Sequence, residues 1–86
     1  MYKTLCVDGL PSRITSDQLA ELCAPYGSVQ SARVVCDAYG VSMNYGFVQM
    51  ATVEDAEEVV QALNGCDRFG ALLYVARTYP RLSQAS

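Results

Sequence analysis

The sequence predicts an α+β domain: four strands and two helices in the order βαββαβ, with both helices packed on one face of an antiparallel sheet. Two short stretches repeat apolar residues at helical spacing, and each is opened by a capping residue. Four other stretches are short, rich in apolar residues and bounded by turn signals, as strands are. Two helices can cover only one face of the resulting sheet, so the other face is left open to solvent or a partner.

The elements follow in order. Residues 3–8 (KTLCVD) alternate around Leu5 and Val7 and stop at Gly9-Leu10-Pro11, a strand followed by a loop. Thr15 and Gln18 stand at capping-box spacing with Asp17 in the first turn, which starts a helix. Leu19, Leu22, Cys23 and Tyr26 then form its apolar stripe, closed by Pro25 and Gly27. Residues 29–36 (VQSARVVC) read as a second strand, and Asp37 to Gly40 as a turn. The third strand is 43–50. Thr52, with Asp55 three residues on, opens a second helix whose stripe is Ala56, Val59, Val60 and Leu63 and whose stop is Asn64-Gly65. A loop from Cys66 to Gly70 leads to a last strand at 72–77. This order is the ferredoxin-like, split βαβ arrangement. The domain is expected over 1–79, with 80–86 a polar, frayed tail.

The third strand raises the functional question. Tyr45 and Phe47 are two apart and share one side of a strand, while Gly46, Val48 and Met50 share the other. One parity faces the helices and the other faces out, and the local pattern alone does not say which.

Leu5-Cys6-Val7-Asp8-Gly9-Leu10 resembles the short hexamer of the RNA recognition motif family, and Met43 to Met50 (MNYGFVQM) resembles its octamer. Tyr45, Gly46, Phe47 and Val48 match the octamer; Met43 stands where the family has Lys or Arg, Asn44 where it has Gly, and Met50 where it has an aromatic residue. Tyr26-Gly27, Asn64-Gly65 and Phe69-Gly70 are supporting landmarks, so the resemblance runs from residue 3 to about 79. The Met1 start and short tail point toward a small, single-domain member.

What the resemblance implies is that Tyr45 and Phe47 stand on the open face and stack on unpaired bases of single-stranded RNA. Val48 and Met50 would then meet the helices, with Gly46 permitting close approach. The same parity assigns Thr4, Cys6 and Asp8, then Arg33 and Val35, then Met43 and Gln49, and finally Leu72, Tyr74 and Ala76 to the open face. Cys6 takes the place of the family's third aromatic residue, and Tyr74 on an edge strand would replace it in part. Met43 removes a cation that would meet a phosphate, leaving Arg33, Arg77 and Arg81 as phosphate contacts. The expected result is RNA binding of modest affinity through Tyr45, Phe47, Cys6, Met43, Gln49, Arg33, Tyr74, Arg77 and Arg81.

Composition bears on the same question. A net charge of −3 at first opposes a nucleic-acid partner. Yet Asp17, Glu21, Glu54, Asp55, Glu57 and Glu58 all fall on the two helices, which carry no basic residue. The rest of the chain sets six basic residues against Asp8, Asp37 and Asp67, a balance of +3. The acidic excess therefore belongs to the back of the domain.

Other function classes fit less well. The chain has no His, and its four cysteines show no CxxC or other ligand spacing, so neither a metal site nor a cofactor is expected and the cysteines read as small hydrophobes. An acylphosphatase-like enzyme of this topology would need a phosphate-cradling loop with Arg and Asn after the first strand; Gly9 to Arg13 only echoes it, so no enzyme activity is expected. Some family members bind a peptide through an acidic first helix and an Arg-x-Phe motif, but here Arg68 and Phe69 are adjacent. The remaining alternative is a protein partner, or a second copy of this chain, on the same open face; Tyr79, Pro80 and Leu82 could also fold back over it. No apolar run approaches the ~20 residues that span a bilayer. The first residues carry a single Lys and are broken by Asp8, Gly9 and Pro11, unlike a signal peptide. The expected location is cytoplasmic, or nuclear in a eukaryote.

Overall fold

In the computed structural model, which describes residues 3–78, the chain runs β1 (Thr4–Asp8), α1 (Ser16–Cys23), a 3-10 turn (Ala24–Tyr26), β2 (Val29–Cys36), β3 (Ser42–Met50), α2 (Val53–Leu63) and β4 (Tyr74–Thr78). The strands form one antiparallel sheet in the order β2-β3-β1-β4. The two strands that resemble the family motifs are thus the central pair, each flanked by strands on both sides. The tail residues 80–86, with Arg81, Leu82 and the proposed fold-back, lie outside the described residues, as does Tyr79.

Both helices start where the sequence places them. The Thr15 hydroxyl accepts a hydrogen bond from Gln18 N at 3.1 Å, and the Gln18 side chain accepts one from Thr15 N at 2.9 Å, a complete capping box. Thr52 caps α2 by accepting from Asp55 N at 3.0 Å. Pro25 does not simply stop α1; it sits in the 3-10 turn that tightens its end.

The core lies between the helices and one row of the sheet. Leu5, Val7, Val48, Met50 and Val75 pack there against Leu19, Leu22, Cys23, Ala56, Val59 and Leu63, all of them buried. Tyr26 and Val60, both expected in helical stripes, are partly buried at its margin. Gly46 is needed at this interface: a Cβ on it would come within 2.6 Å of Arg33 O and 2.8 Å of Leu19 Cδ2. Close approach of α1 to β3 therefore requires a residue without a side chain.

Two expectations are corrected. The last strand begins at Tyr74 rather than Leu72, because residues 65–73 fold on themselves first. Leu73 N donates to Cys66 O at 2.9 Å, Gly65 N donates to Leu73 O at 2.7 Å, and Asp67 pairs with Leu72. Leu72 therefore belongs to this small loop, not to the sheet face. The third strand also departs from simple alternation near its start. Asn44 has φ 68°, in the left-handed region, and the pairing jumps from Val34↔Gly46 to Cys36↔Ser42, two residues on β2 against four on β3. The parity that grouped Met43 with Tyr45 does not pass through this irregularity.

Candidate nucleic-acid interface

The strand register builds the open face residue by residue. Cys6 pairs with Phe47 on one side and Ala76 on the other. Asp8 pairs with Tyr45 and Tyr74, Thr4 with Gln49 and Thr78, and Arg33 with Phe47. Paired residues share a face, so Arg33, Phe47, Cys6 and Ala76 form one row across all four strands. Tyr45, Asp8 and Tyr74 form the next. Neither row contributes to the core cluster.

Tyr45 and Phe47 are half-buried and touch edge to face, with centroids 5.9 Å apart and planes at 85°. Such a pair is mutually stabilising, by about 0.5–1.5 kcal/mol beyond area burial. It also means that the two π-faces point in different directions. Together with Arg33 and Val35 the rings line an open depression of about 250 Å³ on the outer surface of the sheet. Tyr74 is 58% exposed and stands beyond Asp8 on the edge strand.

The remaining expected contacts fall in different places. Gln49 is exposed on the open face, one row from Phe47. Cys6 is partly buried among these residues, and its thiol pKa is raised by that burial and by the nearby Asp8 charge. Met43 is 49% exposed at the start of β3, ahead of the irregularity. Arg77 pairs with Leu5 and so lies in the helix-side row, although exposed near the end of β4. Arg81 lies outside the described residues.

The charge pattern is also sharper than residue counting implies. The six acids do lie on α1 and α2. Two of the basic residues, however, serve the helix side: Arg68 donates to the Tyr26 hydroxyl at 3.1 Å, and the Arg13 guanidinium sits 6.0 Å from the Phe69 ring centroid. Tyr26 and Phe69 both pack against the core, and Phe69 and Arg68 border α1. Among the described residues, Arg33 is the one cation paired into the aromatic rows.

Asn44 has a structural role that its sequence neighbours do not reveal. Standing where the family octamer has Gly, it holds the first loop onto the sheet. Its backbone oxygen accepts from Gly9 N at 3.1 Å and from Leu10 N at 3.0 Å, while its side-chain amide donates to Leu10 O at 3.0 Å and reaches Ser12 Oγ at 3.3 Å. Asn is the residue besides Gly that best tolerates a left-handed backbone. The available signal is that Gly-to-Asn exchange itself. The hairpin joining β2 to β3 is likewise fastened by one side chain, Asp37 Oδ1 accepting from Tyr39 N at 2.8 Å and Val41 N at 3.0 Å.

With the geometry assembled, the chain can be set beside known proteins. A family model described as the RNA recognition motif matches residues 5–73. The chain is 40% identical over 60 residues to small ribosomal subunit protein cS22 of Arabidopsis thaliana, covering 69% of this chain and 24% of that protein. It is 36% identical over 76 residues to polyadenylate-binding protein 5 of the same plant, covering 88% of this chain and 11% of that protein. The chain thus spans a quarter or less of either relative. Among solved structures, the RNA binding protein PG1 superposes with a TM-score of 0.87 at 32% identity, covering 92% of this chain and 96% of that one. The structure described as a Sxl-lethal protein/RNA complex gives a TM-score of 0.86 at 27% identity, covering 93% and 48%. From its motifs, its βαββαβ fold with Tyr45 and Phe47 on the central strand β3 outside the helix-packed core, and these matches, the chain belongs to the RNA recognition motif family.

Proposed function

We propose that this domain binds single-stranded RNA on the open sheet face, with Tyr45 and Phe47 as stacking platforms and Arg33 as a phosphate contact. The observation that carries the reading is the open depression that both rings and Arg33 line together, in the sheet rows that stay out of the helix-packed core. A ring offers a π-face to any base, and each stack is worth about 1–3 kcal/mol by alanine substitution. Rings fixed on a central strand lose little entropy when a base arrives. Because the ring planes stand at 85°, seating two successive bases in parallel requires one ring to turn about χ2, a soft torsion in aromatic side chains. The Watson–Crick edges of the stacked bases are left for neighbouring polar groups, and no bond-making chemistry is assigned to the face.

The affinity is modest. Cys6 offers no π-face where the family carries an aromatic residue, and Met43 offers no charge. Arg77, in the helix-side row, reaches phosphate only where the strand wraps the sheet edge. A protein partner on the same face is the competing reading, favoured by the exposed Tyr74 in its rows and by the exposed Tyr39 and Val41 of the β2–β3 hairpin.

Titration of fluorescently labelled short RNA at low salt against wild type and the Tyr45→Ala/Phe47→Ala double variant tests the proposal. Micromolar binding that weakens by at least ~2 kcal/mol in the double variant, as two lost stacks require, is the expected result. Equal binding by both proteins excludes it. Dimerisation through this face with no RNA binding establishes the competing reading instead.

A further inference from the structure

The face proposed to receive RNA, a polyanion, carries a carboxylate beside its stacking ring. Asp8 is exposed and pairs in register with Tyr45 on β3 and with Tyr74 on β4, so an aromatic residue flanks it on either side. Its Oδ1 accepts from Gly9 N at 2.8 Å, which holds the carboxylate in place and leaves one lone pair on Oδ1 and both on Oδ2 for a ligand. Directly opposite residues of paired strands hold their Cβ atoms about 4.5–5.5 Å apart. A base lying on the Tyr45 ring therefore brings one of its edges to Asp8. A group that merely followed the phosphate chain would be a cation. An anion here repels the backbone and gains only from hydrogen-bond donors.

Resting on the RNA-binding reading above, we infer that Asp8 selects the base stacked on Tyr45 by its donor edge, favouring guanine and rejecting uracil. The bases differ sharply in what they offer a carboxylate. Guanine presents two adjacent donors, the N1–H and the N2 amino group, which match the two-oxygen acceptor. Adenine and cytosine each present one amino group beside a ring nitrogen acceptor. Uracil presents a single N3–H between two carbonyl oxygens, and both carbonyls are repelled by the carboxylate. The order that follows is guanine first, adenine and cytosine together, uracil last. The bland role for Asp8 is to close its local turn through Gly9 N. That role survives replacement by Asn, whose amide oxygen accepts the same bond, whereas selection does not: Asn keeps one acceptor, adds a donor and removes the charge.

The test uses labelled RNA octamers of uridine whose two central positions are G, A, C or U, titrated at one salt concentration against wild type, Asp8→Asn and Tyr45→Ala/Phe47→Ala. Wild type is expected to bind the G octamer about tenfold more tightly than the all-U octamer, the size of one good bidentate contact. In Asp8→Asn that ratio falls to about twofold or less, while all-U binding holds or tightens because a negative charge has left the face. Uniform binding of all four by wild type, or an unchanged ratio in Asp8→Asn, overturns the inference and leaves the RNA reading standing. Binding that survives in the double aromatic variant overturns the stacking reading. If wild type binds none of the four, both are overturned.

Discussion

The two faces of this sheet are built from alternate residues of the same strands, yet they answer to different constraints. On the helix side Leu5, Val7, Val48 and Met50 are completely or almost completely buried and touch several elements at once. On the open side Cys6 pairs with Phe47 and Asp8 with Tyr45, the two rings meet edge to face, and none of the four joins the core. A cavity on the first face removes hydrophobic burial from a core that two short helices and four strands share. A cavity on the second removes only part of a surface. The difference separates stability from binding within single dipeptides: Leu5 and Cys6, or Phe47 and Val48, are neighbours in sequence with opposite duties.

The strongest way to break the comparison is to truncate adjacent residues. Leu5→Ala is expected to lower unfolding free energy by about 2–5 kcal/mol, since Leu5 is fully buried at the centre of the sheet. The neighbouring Cys6→Ala should cost far less. Urea denaturation of the two variants checks this, and comparable losses would mean that the open face is not open.

A smaller effect is expected at Gly46. A methyl group there would meet Arg33 O and Leu19 Cδ2 at distances no real Cβ tolerates, so β3 or α1 must shift. The expected cost of Gly46→Ala is about 1–3 kcal/mol, the usual range for overpacking a tight core. Asn44 comes next. Asn44→Ala loses the amide bonds to Leu10 O and Ser12 Oγ and places Cβ chemistry on a left-handed backbone without local polar compensation. A loss of about 1–2 kcal/mol is expected. Asn44→Gly, which relieves the backbone while losing the same bonds, should fall between Ala and wild type. Thermal unfolding of the pair separates the two contributions: Ala against Gly reads the left-handed backbone, and Gly against wild type reads mainly the lost amide bonds; a Gly variant worse than Ala would show that relief of the backbone does not offset the freedom glycine adds to the unfolded chain.

Much of this is legible in the sequence, and the reasons are local. The caps at Thr15 and Thr52 depend on residues three apart, and the helical stripes on residues three and four apart, so both are written within a single turn of chain. Alternation divides β1 and β3 into two rows, and the resemblance to the family motifs implies which of them faces the helices. What the sequence does not show depends on distant parts of the chain meeting. The left-handed turn at Asn44 is dictated by the Gly9–Ser12 loop more than thirty residues away, and it cancels the parity argument for Met43. The late start of β4 comes from bonds between Gly65, Cys66 and Leu73 that compete with the sheet for the same backbone groups. The row of Arg77 is legible too: alternation from Tyr74 through Ala76 sets it opposite Leu5, on the helix side. Arg13 and Arg68 are helix-side residues because Phe69 and Tyr26 respectively, each distant in sequence from its partner, receive them.

The smallest effect expected is also the most direct probe of the open face as a platform. Cys6 sits between Phe47 and Ala76 in the row that contains Arg33. Replacing it with Phe adds a ring beside a short neighbour, Ala76, so the substitution meets little steric opposition. The new ring would offer a third stacking surface next to Phe47. One stack is worth about 1–3 kcal/mol, but the new ring also buries against Phe47 and displaces a partly desolvated thiol, so the net gain in RNA affinity should be near the lower end, about 1 kcal/mol. Unfolding free energy should hardly change, because residue 6 is outside the core cluster. The paired measurement is RNA titration beside urea denaturation for Cys6→Phe and wild type. Tighter binding at equal stability is the outcome expected of a surface that is short of one ring. A variant that gains stability but not affinity would mean that ring burial at this position matters more than base stacking, and would shift the working surface outward toward Tyr74 and the hairpin bearing Tyr39.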